Sequence, residues 1–318
     1  MRILITGITG FVGGHLVEHL VSAGGHALFG VSRGGGWPAA LAHLAPRARV
    51  TACDLCDQPA TEAMLRDVRP DWIVHLAGYA NTGGSFGEPE RAWRENLGAT
   101  RGLYDALAAT DLRPRVLFVS TGLVYGEPDR PGGACDESTT LKPASPYAAS
   151  KAAADLVSYQ YARSPGLDII RVRLFNQIGP RQSANFAVPK FARQIAAAEV
   201  GKQAPEVHTG DLSARRDTTD VRDIVAAFPL LLVRGVTGEA YNAAHGDTYL
   251  IQDLLDRLVS MSRVPIRVIQ ELVPGRKADT AITRADVRKL RAATGWEPRL
   301  SLDQSLADVL DYWRGVTG

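Results

Sequence analysis

Tyr147 and Lys151 stand four residues apart in Ser145-Pro146-Tyr147-Ala148-Ala149-Ser150-Lys151, a segment that reads as the start of a helix. Residues i and i+4 share one helix face, so both side chains can point into one site. A phenol, with an ordinary pKa near ~10, is a weak acid-base catalyst at neutral pH, but a cation fixed beside it stabilises the phenolate. The pair is therefore suited to proton transfer. The same spacing also occurs on solvated helix faces, so its meaning depends on the elements around it.

Those elements alternate strand and helix. Arg2 to Thr6 reads as a buried strand, followed by the turn Gly7-Ile8-Thr9-Gly10-Phe11-Val12-Gly13 and an amphipathic helix from His15 to Ala23. In such a turn Gly7 permits the bend, Gly10 admits the backbone to a pyrophosphate, Gly13 allows the helix to pack closely, and the helix N-terminus attracts the anion. A second strand, Ala27 to Val31, ends in Ser32-Arg33 with no acid to take ribose hydroxyls. A serine and an arginine there suit a 2′-phosphate and point to NADPH, with NADH as the other possibility. A third strand, Arg49 to Cys53, delivers Asp54-Leu55 to the adenine end, and a fourth, Trp72 to Leu76, continues into Ala77-Gly78, small enough to pass close to a cofactor.

A long helical pattern from Glu88 to Ala109 contains Asn96, expected to bond a neighbouring strand's backbone. The fifth strand, Val116 to Ser120, presents Thr121 at its carboxyl end, where ligands of open α/β sheets bind. A polar loop from Gly126 to Ala144 leads to the Tyr147 helix and is long enough to close over a substrate. The sixth strand, Ile169 to Phe175, is followed by Asn176 and a weaker alternation: a helix from Val188 to Ala198, a basic loop from Gly210 to Asp217, and a helix from Val221 to Leu232. Arg216 and Arg276 are candidates for a nucleotide diphosphate, because guanidinium forks match phosphate oxygens.

Bulk properties narrow the function class. The 318 residues, 45% hydrophobic and 22% charged with a formal net charge of +2, describe a globular enzyme or binding protein without the basic blocks of a nucleic-acid binder. No apolar run approaches the ~20 residues needed to span a bilayer, and the glycine-rich opening lacks a signal peptide's apolar core. Three cysteines are too few for a disulfide framework, so a cytoplasmic setting is expected. His15-Leu16-Val17-Glu18-His19 fits a zinc-protease spacing but lies on the helix that must pack on the sheet, and Cys53-Asp54-Leu55-Cys56 lacks the surroundings of a redox dithiol. No metal site is expected.

With the glycine turn, Thr121, Tyr147 and Lys151 in this order, the whole chain resembles the extended short-chain dehydrogenase/reductases that act on nucleotide sugars. Thr-Gly-x-x-Gly-x-x-Gly at residues 6 to 13, His75-Leu76-Ala77-Gly78, Val124-Tyr125-Gly126, Asn176 with Gly179-Pro180, and Arg216-Asp217 with Val221 and Asp223 carry the resemblance. Within that family, Ile178-Gly179-Pro180-Arg181-Gln182-Ser183, Phe191-Ala192-Arg193-Gln194-Ile195 and Arg215-Arg216-Asp217 are most similar to GDP-4-keto-6-deoxy-D-mannose reductases, which form GDP-D-rhamnose with NAD(P)H.

The resemblance implies a Rossmann doubly wound parallel sheet over 1–175 and 221–262, with a smaller, discontinuous α/β substrate domain from 176–220 and 263–318. It implies Tyr147 as proton donor, Lys151 as its tuner and ribose ligand, and Thr121 as hydrogen-bond partner. It implies cofactor contacts from Gly7, Gly10, Phe11, Val12, Gly13, Ser32, Arg33, Asp54, Leu55, Leu76, Ala77, Gly78 and Asn96. Substrate contacts fall to Thr121, Asn176, Arg181, Val188, Arg216 and Arg276, and a homodimer forms through a four-helix bundle of helices 88–109 and 146–163. Thr218 departs from the family, which commonly has an aromatic residue there. Sugar-nucleotide dehydratases of the superfamily carry an acid after the threonine, where this chain has Gly122 and Leu123. Epimerase-reductases need a Cys and a His, and Leu123 and Gln177 offer neither. Carbonyl reduction and C4 epimerisation remain, with a non-catalytic cofactor sensor as a reading from another class.

Overall fold

The protein is described by a computed structural model covering residues 1–127, 133–272 and 282–318. Its first half alternates β1 (Arg2–Thr6), α1 (Phe11–Ala23), β2 (Ala27–Ser32), β3 (Ala48–Ala52), α2 (Gln58–Val68) and β4 (Trp72–His75). There follow α3 (Pro89–Trp93), a π-helical turn (Arg94–Gly98), α4 (Ala99–Ala108), β5 (Arg115–Thr121), α5 (Pro146–Arg163) and β6 (Ile169–Leu174). Beyond these come β7 (Asn176–Ile178), α6 (Ala187–Glu199), β8 (Glu206–Thr209), β9 (Arg215–Asp220), α7 (Val221–Arg234) and β10 (Ala240–Ala243). The chain closes with β11 (Thr248–Leu250), α8 (Ile251–Ser260), β12 (Arg267–Gln270), β13 (Ile282–Thr283), α9 (Arg288–Thr294) and α10 (Leu302–Thr317).

Seven parallel strands form the main sheet in the order β10-β6-β5-β4-β1-β2-β3, so the direction of progression reverses between β1 and β4. Such a sheet is buried on both faces, and its strands are accordingly apolar at successive positions. Alternation sorts them by face: Ile3 and Ile5 of β1 and Leu117 of β5 meet Leu16 of α1 and Phe228 of α7. Leu4 and Phe118 turn the other way, against Leu65 of α2 and Leu103 of α4. This is the expected doubly wound Rossmann architecture, and it opens a crevice at the strand carboxyl ends where the order reverses.

A smaller unit packs beside that crevice. Its core joins Val188, Phe191 and Ile195 of α6 to Leu254 and Leu258 of α8 and to Leu306 and Leu310 of α10. The packing thus divides the chain differently from the expected boundaries. Residues 248–260, expected to return to the Rossmann unit, belong to the smaller core because the apolar face of α8 meets α6 and α10. Leu290 of α9 and Trp296 instead join the Rossmann core, and the Trp296 indole donates to the Asp223 carbonyl at 2.8 Å.

The expected basic loop at Arg215-Arg216-Asp217 is strand β9, paired with β7, β11 and β13. Its Asp217 is fully buried and accepts backbone N–H groups from His245 (3.0 Å), Gly246 (3.0 Å) and Ala285 (3.1 Å), so one carboxyl ties three segments together. Burial pushes that carboxyl up to about 7, the three N–H groups opposing the rise. Of the loop over 126–144, residues 128–132 lie outside the described residues. The part that follows is pinned, with Cys135 N–H donating to the Arg284 carbonyl (2.8 Å) and Asn242 N–H to the Glu137 carboxylate (2.7 Å). No helix among the described residues is long and apolar enough to cross a membrane.

Candidate active site

One cavity of about 1830 Å³ runs along the crevice from the glycine turn to the smaller unit. At its cofactor end Gly7 adopts φ +69°, and a Cβ there would lie 2.8 Å from the Ala77 nitrogen, so only glycine fits between β1 and the end of β4. A Cβ on Gly13 would strike the Ile8 and Gly7 carbonyls at 2.5 and 2.6 Å. The helix N-terminus that follows has no side-chain cap, and Gly10, Phe11, Val12 and Gly13 line the cavity with it, which leaves backbone N–H groups for an anion. These features fit a dinucleotide pyrophosphate.

Ser32, Arg33, Asp54, Leu55, Leu76, Ala77 and Gly78 line the same end. Arg33 also borders a second, shallower hollow with Thr9, Ser32 and Trp37. Two ion pairs from consecutive residues of the π turn reach over this end: Glu95 to Arg33 at 2.6 Å and Arg94 to Asp54 at 2.6 Å. Both are exposed on at least one side, so each is worth at most about 1 kcal/mol and is readily exchanged for a ligand.

Asn96, in the same turn, is buried and donates from Nδ2 to Ser150 Oγ on α5 at 2.9 Å, rather than to a strand's backbone as expected. The π turn presents it sideways to α5. Beneath it, Thr100 donates its hydroxyl proton to the Asn96 carbonyl (2.6 Å), so at 3.0 Å it accepts from His75 Nε2–H. That leaves His75 Nδ1 to accept from Thr6 at 2.7 Å. Burial, and secondarily the Lys151 charge, bring His75 down to about 3, so the ring is neutral.

The chemical centre rests on α5. Ser145 caps the helix by accepting Ala148 N–H at 3.1 Å, Pro146 takes the first turn, and the helix then carries Tyr147, Lys151 and Asp155 on one face. Asp155 is fully buried between Arg171 (2.6 Å) and Arg173 (2.9 Å) of β6, which locks the helix to the sheet. Lys151 donates to the Val119 carbonyl at 2.6 Å and lies 4.6 Å from the centre of the Phe118 ring. Burial lowers its pKa to about 8, with Asp155 opposing.

Tyr147 keeps partial exposure on the cavity wall beside Thr121. Burial raises the phenol's pKa, and the hydrogen bond with Thr121 opposes that rise. The sequence reading has Lys151 lower it; here burial is the larger influence, Thr121 opposes it, and the Lys151 ammonium is engaged by the Val119 carbonyl. The phenol is therefore held protonated at neutral pH, the state a proton donor needs. Gly122 and Leu123 line the cavity after Thr121, with no carboxylate there.

On the substrate side the structure separates the expected residues. Asn176 and Arg216 line the cavity. Arg181 does not: it adopts φ +70° and pairs with Glu18 of α1 at 2.5 Å, beside His15. Glu18 and His15, from the zinc-protease-like spacing, thus join α1 to the turn after β7. Val188 is buried in the smaller core. Helical phase explains this, because Val188 and Ile195 turn into the smaller core while Ala187 and Lys190, three apart, face the cavity, with Phe191 of the same core at the border between the two. Lys190 went unremarked in the sequence, and its signal is a cation in the first turn of the helix after the crossover. Arg276 lies outside the described residues.

Comparison with known proteins agrees with this geometry. A profile of the family described as GDP-mannose 4,6 dehydratase matches residues 4–309. GDP-6-deoxy-D-mannose reductase of Pseudomonas aeruginosa is 33% identical over 98% of this chain and 97% of its own. The structure of RMD from Pseudomonas aeruginosa complexed with NADPH superposes with a TM-score of 0.86 at 30% identity, covering 99% of this chain and 100% of that one. The UDP-glucose 4-epimerase of Thermotoga maritima with UDP-glucose gives 0.90 at 27% identity, with 100% of each chain covered. By its glycine turn, its Thr121–Tyr147–Lys151 centre and these matches, the chain belongs to the GDP-mannose 4,6 dehydratase family, within the nucleotide-sugar short-chain dehydrogenase/reductases.

Proposed function

We propose that the protein reduces the C4 ketone of GDP-4-keto-6-deoxy-D-mannose to GDP-D-rhamnose, with NADPH as reductant. The observation that carries this reading is the pairing of a protonated Tyr147 with Thr121 on a cavity wall that continues as Gly122 and Leu123. A proton donor is present, and the two residues after Thr121 offer no acid to drive water elimination. Likeness to the Pseudomonas aeruginosa reductase over nearly the whole chain supports the substrate class.

The cofactor, when bound, supplies the hydride that becomes the new C4 hydrogen. Gly7, Gly10 and Gly13 with the α1 N-terminus hold its pyrophosphate, Ser32 and Arg33 its 2′-phosphate, and Lys151 its ribose. Tyr147 gives its phenol proton to the C4 oxygen as that atom gains charge, and the Thr121 hydroxyl and Lys151 ammonium stabilise the resulting phenolate. Lys190, Arg216 and the α6 N-terminus take the nucleotide diphosphate.

The decisive assay follows NADPH consumption with GDP-, dTDP- and UDP-linked 4-keto-6-deoxy sugars. Preferred turnover of the GDP sugar is expected. No consumption with any of them, together with tightly retained cofactor, would instead identify a C4 epimerase. Arg33→Ala is expected to raise the Kd for NADPH by about 10- to 100-fold, the worth of one charge-assisted bond to phosphate, and to leave NADH nearly unchanged. Isothermal titration with both cofactors measures this.

The expected homodimer also remains our reading. Trp93 between α3 and the π turn, and Leu156 and Tyr159 on α5, are exposed on neighbouring helices. α4, which follows the π turn, is joined to α5 beneath them by Tyr104 and Ser158 at 2.8 Å. Light scattering is expected to give a dimer for the native chain and a monomer for Leu156→Glu; a native monomer at micromolar concentration would overturn the reading.

A further inference from the structure

Strand β2 ends at Ser32-Arg33 without an acid of its own, but the fold brings one there from 62 residues along the chain. Glu95 Oε1, on the π turn, accepts from Arg33 Nη1 at 2.6 Å. It also accepts from Arg91 Nε of α3 at 2.8 Å, and Arg91 donates in turn to Glu88 at 3.0 Å. The two members of the Arg33 pair differ in freedom: the arginine side chain is 62% exposed and the glutamate side chain 14%. Arg91 anchors the glutamate independently of Arg33, so the carboxylate is the fixed member and the guanidinium the one that can move. The second carboxylate oxygen, Oε2, accepts nothing among the described residues and keeps contact with solvent. Glu95 lines the cofactor end of the cavity together with Ser32 and Arg33.

The surroundings select the group this carboxylate meets. Val31, two residues before Arg33, accepts the Gly7 N–H of the glycine turn at 2.9 Å, and Thr9 of that turn borders the same shallow hollow as Ser32 and Arg33. The pyrophosphate cradle and the end of β2 are therefore adjacent. Thr121 stands on the opposite side, at the end of β5 beyond β4, so the reacting ring lies that way and the adenosine ribose lies toward β2. A ribose 2′-hydroxyl donates to a carboxylate, whereas a 2′-phosphate is attracted by Arg33 and repelled by Glu95. We infer that Glu95 sets cofactor selectivity: its carboxylate accepts the 2′-hydroxyl of NADH and competes with the 2′-phosphate of NADPH for Arg33. This rests on the placing of Ser32 and Arg33 at the 2′ position in the function proposed above. NADPH draws Arg33 away and leaves Glu95 paired with Arg91, while NADH leaves both pairs intact. One site thus takes either cofactor, with the preference for NADPH held below what Arg33 alone would give.

Isothermal titration of the native chain, Glu95→Gln and Glu88→Gln with NADPH and with NADH tests this. Glutamine keeps the length and a neutral acceptor but no charge. In Glu95→Gln the Kd for NADPH is expected to fall about 3- to 10-fold, an exposed ion pair no longer competing and a repulsion removed. The Kd for NADH is expected to rise about 3- to 10-fold, the loss of charge assistance from one hydrogen bond. Opposed signs are the signature, since a loosened π turn would weaken both cofactors. Glu88 shares Arg91 but does not line the cavity, so Glu88→Gln should move neither constant. The inference is overturned if either constant fails to move in its stated direction in Glu95→Gln, or if Glu88→Gln shifts both constants equally far. A native chain that binds neither cofactor sinks the dinucleotide site and this inference together, whereas native binding of NADPH that Glu95→Gln leaves unaltered sinks the inference alone. The titrations use no sugar, so a failure of the proposed reduction is read separately.

Discussion

Tyr147→Phe is expected to lower kcat for ketone reduction by about 10²- to 10⁴-fold while leaving NADPH affinity essentially unchanged. The substitution removes one oxygen and keeps the ring that packs beside Thr121. The ketone would still bind, but the phenol beside Thr121 could no longer supply the proton as negative charge develops. Water can replace it only in part, because the phenol is desolvated enough for burial to raise its pKa. Single-turnover absorbance at the reduced-nicotinamide band separates the chemical step from binding. Near-native turnover would remove Tyr147 from the mechanism and leave the proposed reduction without a proton source.

Lys151→Met should lose at least about 10²-fold in kcat/KM, comparable to removing one preorganised donor from an oxyanion site, and should weaken NADPH as well. The variant also leaves the Val119 carbonyl, which now accepts from the ammonium at 2.6 Å, without its donor. The pH dependence carries a sharper signature. Burial lowers the lysine pKa to about 8, so the ammonium is present at neutral pH and disappears as pH rises through that value. The native kcat/KM should therefore fall above about pH 8, and the Met variant should lose this limb. Tyr147 does not account for the same limb, since its pKa is raised above the ordinary phenol value. Stability moves the other way. Between about 8 and the ordinary lysine value near ~10.4, the unfolded chain binds more protons than the folded one, so this residue makes folding more favourable as pH rises there. A urea-melt series across that window, set against the activity profile, would display the opposed slopes.

How far these features were legible depended on whether local chemistry or distant packing decided them. The α5 start was readable because Ser145 and Pro146 are cap and first-turn residues in their own right. The first six parallel strands were readable because burial on both faces demands apolar residues. Strand β9 was not, since Arg-Arg-Asp-Thr-Thr-Asp has no apolar residue. Its last four positions are buried because partners far along the chain, such as the N–H groups of His245 and Ala285, satisfy Asp217. Arg181 could be read as a substrate ligand from its type and place, but its direction depended on Glu18, more than 160 residues earlier. For Val188 and Lys190 the helix was legible and its rotation was not, because α8 and α10 determine which face of α6 is covered. Lys151 could be singled out by its spacing from Tyr147, while its burial, and the desolvation that raises the Tyr147 phenol, required the packed environment.

The π turn at Arg94–Gly98 has a consequence for how this site tolerates insertions and deletions. Such a turn accommodates about one residue more than a regular α-helix over the same rise, and each residue of an α-helix advances the azimuth by roughly 100°. Excising a single residue there would let the helix run on without interruption and put its two ends out of phase. If Leu103, Tyr104 and Leu107 kept their places in the core, Asn96 would swing away from Ser150, and Arg94 and Glu95 from Asp54 and Arg33. If the amide and the ion pairs kept theirs, α4 would turn its apolar stripe toward solvent. The extra residue acts as a coupling between two otherwise incompatible rotations, one set by the hydrophobic core and the other by the cavity. Length at this turn is therefore constrained more tightly than residue identity.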